Sequence, residues 1–266
     1  MIENREAQRS DSRRSLSPIS FETRWLGRVA YDDAHALQHD LSKKRIAGDI
    51  GDTLLMLEHD PVVTVGRGGD AAHVLGGVDA LRARGIAFAE AGRGGDVTYH
   101  GPGQLVAYPI FDLRPDRCDV RRYVGDLASV MVALARDLGI AAGTIPGDSR
   151  YVGVWVDRDS PTAWTEIDAQ DASFPYRRLA KIGAIGVRLS HWVTMHGFAF
   201  NIRPDMSHFS LIVPCGIREY GVTSVEDLGF QAPSVEEVAK MATPHVTRLF
   251  GRAVDAPRST SDSLDR

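Results

Sequence analysis

Hydrophobic and polar positions follow two different periods along the chain, and these periods predict its secondary structure. Short apolar runs rich in β-branched residues predict strands. The predicted strands cover residues 21–29, 53–60, 61–67, 86–91, 104–113, 151–157, 178–189 and 192–202. A turn at Asp60-Pro61 separates the second of these runs from the third, so we expect the two runs to pair with each other.

Other segments carry apolar residues at helical spacing. Residues 31–47 place Ala34 and Leu41 on one face, which predicts an amphipathic helix. Residues 120–138 carry a longer apolar stripe, and the glycine that follows it is a stop signal. A shorter helix is predicted over 78–84.

Two capping boxes predict further helices near the end of the chain. Thr223 to Glu226 and Ser234 to Glu237 both have the spacing in which a hydroxyl and a glutamate cap a helix start. Pro244 is expected to kink or divide the second of these helices, because proline removes a backbone donor.

The mixture of strands and helices predicts one α/β (α+β) domain built on a mixed sheet. We expect this domain at residues 21–252, between disordered polar tails at 1–20 and 253–266. The stretch 157–176 is polar and has no regular period, so it is expected to be an exposed excursion.

Composition narrows the class of function. Of the 266 residues, 43% are hydrophobic and 25% charged, and the net charge is −4. This acidic balance argues against nucleic-acid binding, and no apolar run is long enough for a membrane span. The N-terminal segment lacks the apolar core of a signal peptide. With two cysteines and no CxxC pair, we expect a cytoplasmic protein that has neither a disulfide framework nor a cysteine-based zinc site.

The segment GRGGDVTYHGPGQLVAYP at 92–109 is rich in glycine. It is not a phosphate-binding loop of the P-loop kind, because Gln104 stands where that motif needs a lysine. Glycines let a ligand approach the backbone closely. From the residues alone, a slot for an extended ligand chain and a tight hairpin between two strands are both compatible with this segment.

Four histidines are candidate metal ligands by residue type alone. His100, His191, His196 and His208 lack metal-binding spacing, and no carboxylate is placed to complete a site with them. His100 lies between two glycine-rich turns and is the best candidate for a polar role at a ligand.

Two cysteines and one lysine are the candidate catalytic residues. Pro214 and Gly216 flank Cys215 and favour presentation of its sulfur at a turn. Cys118 precedes a predicted helix and lies among arginines, a setting that lowers a thiol pKa. Lys181 interrupts an apolar run, and desolvation in a cleft would lower its pKa and suit it to deprotonate a thiol. From the residues alone, either cysteine could be the nucleophile.

Three blocks taken together resemble the lipoate-biosynthesis octanoyltransferases. The blocks are RGGDVTYHGPGQLVAYPI at 93–110, KIGAIGVRLSHWVTMHGFAFNI at 181–202, and VPCGI with VTSV at 213–217 and 222–225. They occur in the order found in that family and with its separation between Lys181 and Cys215. The first block is the most specific.

The resemblance implies a fold shared with biotin and lipoate protein ligases. It also implies transfer of an octanoyl (or lipoyl) group from acyl carrier protein to a lysine of lipoyl domains. The acceptors are 2-oxoacid dehydrogenase complexes and the glycine-cleavage H protein. Cys215 would hold the acyl group as a thioester and Lys181 would activate its thiol, without a cofactor or a metal. Cys118 matches no family position.

The resemblance also implies the residues that bind the acyl chain. They are Arg93, Gly94, Gly95, Asp96, Val97, Thr98, Tyr99, His100, Ala184, Ile185, Gly186, Gly197, Phe198 and Ala199. Backbone N–H groups near Cys215 or Gly197 are expected to stabilise an oxyanion, with help from His100.

Because the donor and acceptor proteins are commonly acidic, a basic docking face is expected on this protein. Its candidate residues are Arg114, Arg117, Arg121, Arg122, Arg177 and Arg178. An ATP-dependent lipoate–protein ligase of the same fold and a non-catalytic protein that binds acyl carrier protein are the alternative functions.

Overall fold

The computed structural model describes residues 20–166, 178–213 and 220–255. Its strands are β1 (Ser20–Val29), β2 (Asp52–His59), β3 (Val62–Val65), β4 (Ala87–Glu90), β5 (Val97–His100), β6 (Gln104–Ile110), β7 (Val154–Asp157), β8 (Leu179–Ser190), β9 (Val193–Asn201), β10 (Gly221–Val222) and β11 (Ala253–Val254). Its α-helices are α1 (Tyr31–Ala47), α2 (Gly77–Arg82), α3 (Val120–Asp137) and α4 (Val235–Phe250).

Within the described residues, eight strands form a large mixed sheet. Its order is β10-β8-β9-β6-β2-β1-β11, and β7 also pairs with β8. β1 and β2 are parallel, whereas β6, β8 and β9 pair antiparallel with their neighbours in the centre. The predicted mixed α/β fold is confirmed.

Helices cover both faces of this sheet. α3 and α4 pack on one face, where Leu127, Met131 and Leu134 of the predicted α3 stripe are fully buried. α1 packs on the other face through Ala34 and Leu41. Both long helices predicted from periodicity are therefore confirmed, and each owes its place to one apolar face.

A second, three-stranded sheet has the order β4-β3-β5. The predicted pairing of run 53–60 with run 61–67 is therefore wrong, because β2 and β3 belong to different sheets. The Asp60 amide donates to the Val29 carbonyl, whereas the Pro61 carbonyl accepts from Ala87 in the second sheet. The chain thus crosses between the sheets at this point and forms no hairpin.

The hairpin interpretation of residues 92–109 fails for a related reason. The segment contains β5, which pairs antiparallel with β3 in the small sheet. β6, which follows it, pairs with β2 and β9 in the large sheet. The glycine-rich residues therefore connect the two sheets.

The helix predicted from the capping box at Thr223 is also wrong. The Thr223 hydroxyl donates to Asp227 at 2.8 Å, and the Glu226 amide donates to the Ile202 carbonyl at 3.0 Å. These bonds hold the segment as a turn at the end of β9. A local pattern that favours a helix start has been overridden by tertiary hydrogen bonds.

The second capping box is confirmed. The Ser234 hydroxyl accepts from the Glu237 amide at 3.3 Å, and the Glu237 carboxylate accepts from the Ser234 amide at 2.8 Å. Pro244 lies within α4 and does not divide it.

β11 pairs in parallel with the start of β1, so the folded chain extends past the predicted limit at residue 252. Most of both predicted tails (1–19 and 256–266), residues 167–176 of the predicted excursion, residue 177, and the segment 214–219 with Cys215 lie outside the described residues. Within the described ranges, no helix is both long enough and apolar enough to cross a membrane.

Candidate active site

A cavity lies between β5 on one side and the β8–β9 hairpin on the other. It encloses about 800 Å³ of space free of protein atoms, counting its opening to solvent. Lys181 lines it, together with every predicted acyl-binding residue except Gly94 and Tyr99. The structure therefore brings the first two sequence blocks together at one site.

The floor of the cavity is made of small residues on the paired strands β8 and β9. Gly186 lies directly opposite Gly197, and Ala184 lies opposite Ala199. A Cβ atom on Gly186 would lie 2.7 Å from Cδ of Arg93, and one on Gly197 would collide with the Ala107 carbonyl oxygen. Glycine at these two positions lets neighbouring groups approach the strands as closely as they do.

Arg93 holds the glycine-rich loop in place over this floor. It is only 8% exposed, and its guanidinium donates to the carbonyl and the hydroxyl of Thr64 at 2.9 and 2.8 Å. It also donates to the carbonyls of Asp96 and Gly94 at 2.8 and 3.2 Å. These oxygens compensate the buried charge and fix the loop to β3.

We expect Gly186→Ala to lower the Tm and to slow formation of the acyl-enzyme that the family resemblance implies. The new methyl group meets Arg93, whose hydrogen bonds to Thr64 prevent it from moving away, and such overpacking costs about 1–3 kcal/mol. Thermal unfolding and the rate of acyl-adduct formation measure the two effects. Gly125→Ala is the matched control, since a Cβ there meets nothing within 4 Å. A Gly186→Ala protein with the Tm and rate of the wild type would contradict the described packing.

A hydrogen-bonded chain of side chains lies along the middle of the cavity. Gln104 donates from Nε2 to the Tyr99 carbonyl at 3.2 Å and to Oδ1 of Asn201 at 2.9 Å. Asn201 donates in turn to the Thr223 carbonyl at 2.9 Å. The remaining oxygen of Gln104 accepts from Nδ1 of His100 at 2.7 Å.

This arrangement determines what His100 can do. Burial, and next the neighbouring His59 ring, lower the pKa of His100 to about 3, so its ring is neutral near pH 7. Because Nδ1 carries the proton that Gln104 accepts, Nε2 is left with a lone pair. With this hydrogen bonding His100 has no N–H to offer an oxyanion, so the geometry does not favour the expected assistance from it.

Lys181 is fixed at one end of the cavity. It lies on β8, is 7% exposed, and donates from Nζ to the Val152 carbonyl at 3.1 Å. The same Nζ lies 4.7 Å from the ring centroid of Trp155. Lys181 also pairs through its backbone with Val222 of β10, the strand that follows the segment containing Cys215.

Cys118, the other candidate nucleophile, lies elsewhere. Its side chain is exposed, and its thiol donates to the Leu113 carbonyl at 3.7 Å, away from the residues that line the cavity. This placement argues against a role for Cys118 at the cavity.

Tyr99 and Gly94 do not line the cavity. Tyr99 points into the core of the small sheet, where its ring contacts Phe209 and its hydroxyl is hydrogen-bonded to His208 at 2.8 Å. Alternation along β5 turns Thr98 and His100 toward the cavity instead. Gly94 contributes through its backbone, since its amide donates to the Val187 carbonyl of β8.

Sequence reasoning missed several residues that line the cavity. They are Tyr31, Gln104, Val106, Tyr108, Val152, Asn201, Phe209 and Val222, and also His196, which was weighed only as a metal ligand. Asn201 and Gln104 carried a signal, because each is a polar residue at the end of an apolar strand. Across the described ranges, no group of three His, Cys, Asp or Glu side chains is arranged to hold a metal ion.

The arginines considered for docking differ in their surroundings. Arg114 is paired with Asp112 at 2.6 Å, Arg117 with Asp126 at 3.0 Å, and Arg178 with Asp159 at 2.8 Å. Arg121 and Arg122 are exposed in the first turn of α3, and Arg177 lies outside the described residues. Part of the expected positive charge is therefore neutralised within the protein itself.

Solved structures of two lipoate ligases share the fold. A bipartite lipoate protein ligase from Thermoplasma acidophilum superimposes with a TM-score of 0.62 at 16% identity, covering 90% of this chain and 88% of that one. A lipoate-protein ligase A bound with ATP gives a TM-score of 0.60 at 16% identity, with coverages of 90% and 88%. At these identities the likeness shows the fold alone.

Sequence similarity identifies the family more closely. The family described as the lipoyl protein ligase A/B catalytic domain matches residues 30–247. An octanoyltransferase of Myxococcus xanthus is 46% identical over 87% of this chain, which spans 60% of that protein's length. An octanoyltransferase of Solibacter usitatus is 45% identical over 85% of this chain and 91% of its own length. The chain therefore belongs to the octanoyltransferases, the acyltransferases of lipoate biosynthesis.

Proposed function

We propose that this octanoyltransferase carries its acyl group on Cys215 as a thioester and uses Lys181 to move the protons. The donor is the octanoyl (or lipoyl) thioester of acyl carrier protein, and the acceptor is a lysine of a lipoyl domain. The supporting observation is the cavity, whose small-residue floor runs along β8 from the buried Lys181 to Gly186. We place the reaction in the cytoplasm.

The first half-reaction exchanges one thioester for another. Lys181 takes the proton of the Cys215 thiol, the thiolate attacks the thioester carbonyl, and the proton passes to the leaving thiol of the carrier protein. The bond that forms and the bond that breaks are both C–S bonds, so the step is nearly isoenergetic and needs no ATP.

The second half-reaction forms an amide. Lys181 removes a proton from the incoming lysine ammonium, and the free amine attacks the acyl-enzyme. The attacking nitrogen loses a second proton as the C–S bond breaks, so that one of the two protons goes to the Cys215 sulfur and the other to solvent. An amide is more stable than a thioester, so this step drives the overall transfer.

The surroundings of Lys181 suit a group that gains and loses a proton. Burial on β8, beside Trp155 of the neighbouring strand β7, disfavours the charged ammonium. The Val152 carbonyl and the face of the Trp155 ring stabilise that same charge. Burial is thus the effect that favours release of the proton, whereas the carbonyl and the ring favour the ammonium and hold Nζ in place.

The acceptors we propose are the lipoyl domains of 2-oxoacid dehydrogenase complexes and the glycine-cleavage H protein. Support comes from the fold, since the lipoate protein ligase of T. acidophilum is described together with its E2 lipoyl domain. The donor follows from the chemistry, because a thioester supplies an activated acyl group without a nucleotide.

An assay without nucleotide tests this function. We expect octanoyl transfer from octanoyl-carrier protein to a lipoyl domain in the absence of ATP, and no ATP–pyrophosphate exchange with octanoate or lipoate. Exchange stimulated by either acid would establish an ATP-dependent ligase instead. Tight binding of octanoyl-carrier protein without any transfer would establish a non-catalytic binding protein.

A further inference from the structure

The glycine-rich loop at 92–96 is bonded to a neighbouring loop through the carboxylate of Asp96. Its Oδ2 lies 2.6 Å from Nδ1 of His73, and its Oδ1 accepts from the Asp70 amide at 3.2 Å. Because an ionised carboxylate only accepts hydrogen bonds, Nδ1 of His73 carries the proton and donates it. Both oxygens of Asp96 are therefore engaged by the loop at 66–73.

This connection adds to a set of backbone bonds between the same two loops. The Gly66 amide donates to the Asp96 carbonyl at 3.1 Å, and the Gly68 amide donates to the Gly95 carbonyl at 3.3 Å. The side-chain bond extends the connection to His73. Only 13% of the Asp96 side chain and 32% of the His73 side chain are exposed. A hydrogen bond to a carboxylate in such a place is stronger than one between neutral groups.

Residues 73–75 also pair with residues 211–213 as a short antiparallel ladder. The His73 carbonyl accepts from the Val213 amide at 2.8 Å, and the central residues of the two segments form an antiparallel bridge. His73 thus makes two connections. Its side chain bonds the glycine-rich loop, and its carbonyl bonds Val213.

Val213 is the last described residue before Cys215. Two residues of fully extended chain span at most about 7 Å, so the position of Val213 limits where the Cys215 Cα can lie. On the other side of Cys215, β10 begins at Gly221 and pairs with β8. The chain from Cys215 to Gly221 is longer and sets a looser limit. The ladder at Val213 is therefore the tighter of the two restraints.

We propose that His73 and Asp96 are positioning residues for the catalytic cysteine. Their bond fixes the ladder that ends at Val213 relative to the glycine-rich wall of the cavity, and so limits the positions open to Cys215. Neither side chain touches the reacting atoms in this role. The inference rests on the proposed function, since it takes Cys215 as the nucleophile.

Three substitutions of His73 separate the hydrogen bond from the bulk of the side chain. His73→Asn keeps an N–H donor at the δ position, where Asp96 accepts it. His73→Gln moves the donor one atom further out, to the ε position, and His73→Leu removes it. The proposal therefore predicts that His73→Asn behaves like the wild type and that the other two variants do not.

The chain offers a matched control in His245. Its Nε2 lies 2.6 Å from Oδ2 of Asp137, the same separation as in the His73–Asp96 pair. This second pair joins α3 to α4, and His245 does not line the cavity. His245→Leu therefore reports the effect of losing a His–Asp bond elsewhere in the fold.

Two measurements are made on each variant. Hydrogen–deuterium exchange of peptides that contain 73–75 and 211–213 reports on the ladder. We expect His73→Leu and His73→Gln to speed exchange there by roughly ten- to hundredfold, the scale of one hydrogen bond to a charged group. Single-turnover acylation by octanoyl-carrier protein reports on the reaction. Its rate at saturating donor should fall by about ten- to hundredfold, as for a displaced reacting group, with little change in the half-saturating donor concentration. His245→Leu should leave both readouts at wild-type values.

Unchanged exchange in a folded His73→Leu protein would overturn the pair as the anchor of the ladder. Faster exchange with an unchanged saturating rate, or with a change in half-saturation alone, would overturn the positioning role. If His73→Leu does not fold, the comparison of His73→Asn with His73→Gln decides, and equal behaviour of these two variants would overturn the proposal. The absence of any acyl adduct on the wild type would overturn the thioester function itself, and the exchange data would still show whether the pair anchors the ladder.

Discussion

We expect Cys215→Ala to form no octanoyl adduct and to lose transfer activity by at least about 10⁴-fold, the scale of removing a catalytic nucleophile. No other group at the site is proposed to hold the acyl chain, so both half-reactions fail together. Intact-mass measurement after incubation with octanoyl-carrier protein, together with an assay of lipoyl-domain octanoylation, checks both effects.

Cys118→Ala is the matched control for that variant. This thiol is exposed and lies away from the cavity, so its removal leaves the adduct and the transfer rate at wild-type values. An adduct that persists in Cys215→Ala and disappears in Cys118→Ala would reverse the assignment of the nucleophile.

We expect Lys181→Met to slow both half-reactions by about 10²–10⁴-fold, the usual contribution of a positioned acid–base group. Methionine keeps an unbranched apolar stem against Trp155, so the fold and Tm are expected to change little. Single-turnover acylation and deacylation rates, measured separately, check the effect on each step.

Lys181→Arg separates proton transfer from simple positive charge. Arginine retains the charge and its contact with an aromatic face, but it does not give up its proton near neutral pH. We therefore expect Lys181→Arg to be about as slow as Lys181→Met. If either variant were fully active at neutral pH, Lys181 would not be the base, although the family assignment would stand.

Much of the local structure could be predicted from the sequence because it depends on neighbours in the chain. The stripe in α3, the capping box at Ser234 and the strand composition of β8 and β9 are all short-range signals. The glycines of the cavity floor are predicted from the sequence block at 181–202. The strand register in the structure then places Gly186 opposite Gly197.

The errors arise where distant residues decide the outcome. Asp60-Pro61 looks like a hairpin turn, yet β2 and β3 pair with strands far apart in sequence. The capping box at Thr223 predicts a helix, but the Glu226 amide donates instead to the Ile202 carbonyl, and no helix forms there. In the sequence Tyr31 is simply the first residue of a predicted helix. It reaches the cavity because α1 packs against β9, a contact that the sequence does not reveal. Side-chain partners of this kind leave no periodic trace in the sequence.

The most direct test of the central claim is the mass and position of the acyl group on the wild-type enzyme. The enzyme is incubated with octanoyl-carrier protein without ATP, and its intact mass and peptide map are recorded before and after addition of a lipoyl domain. The proposed mechanism predicts one octanoyl group on Cys215 that is lost as the lipoyl-domain lysine becomes octanoylated. Octanoylation of the lipoyl domain with no adduct on the enzyme at any time, or with the label on a residue other than Cys215, would contradict it.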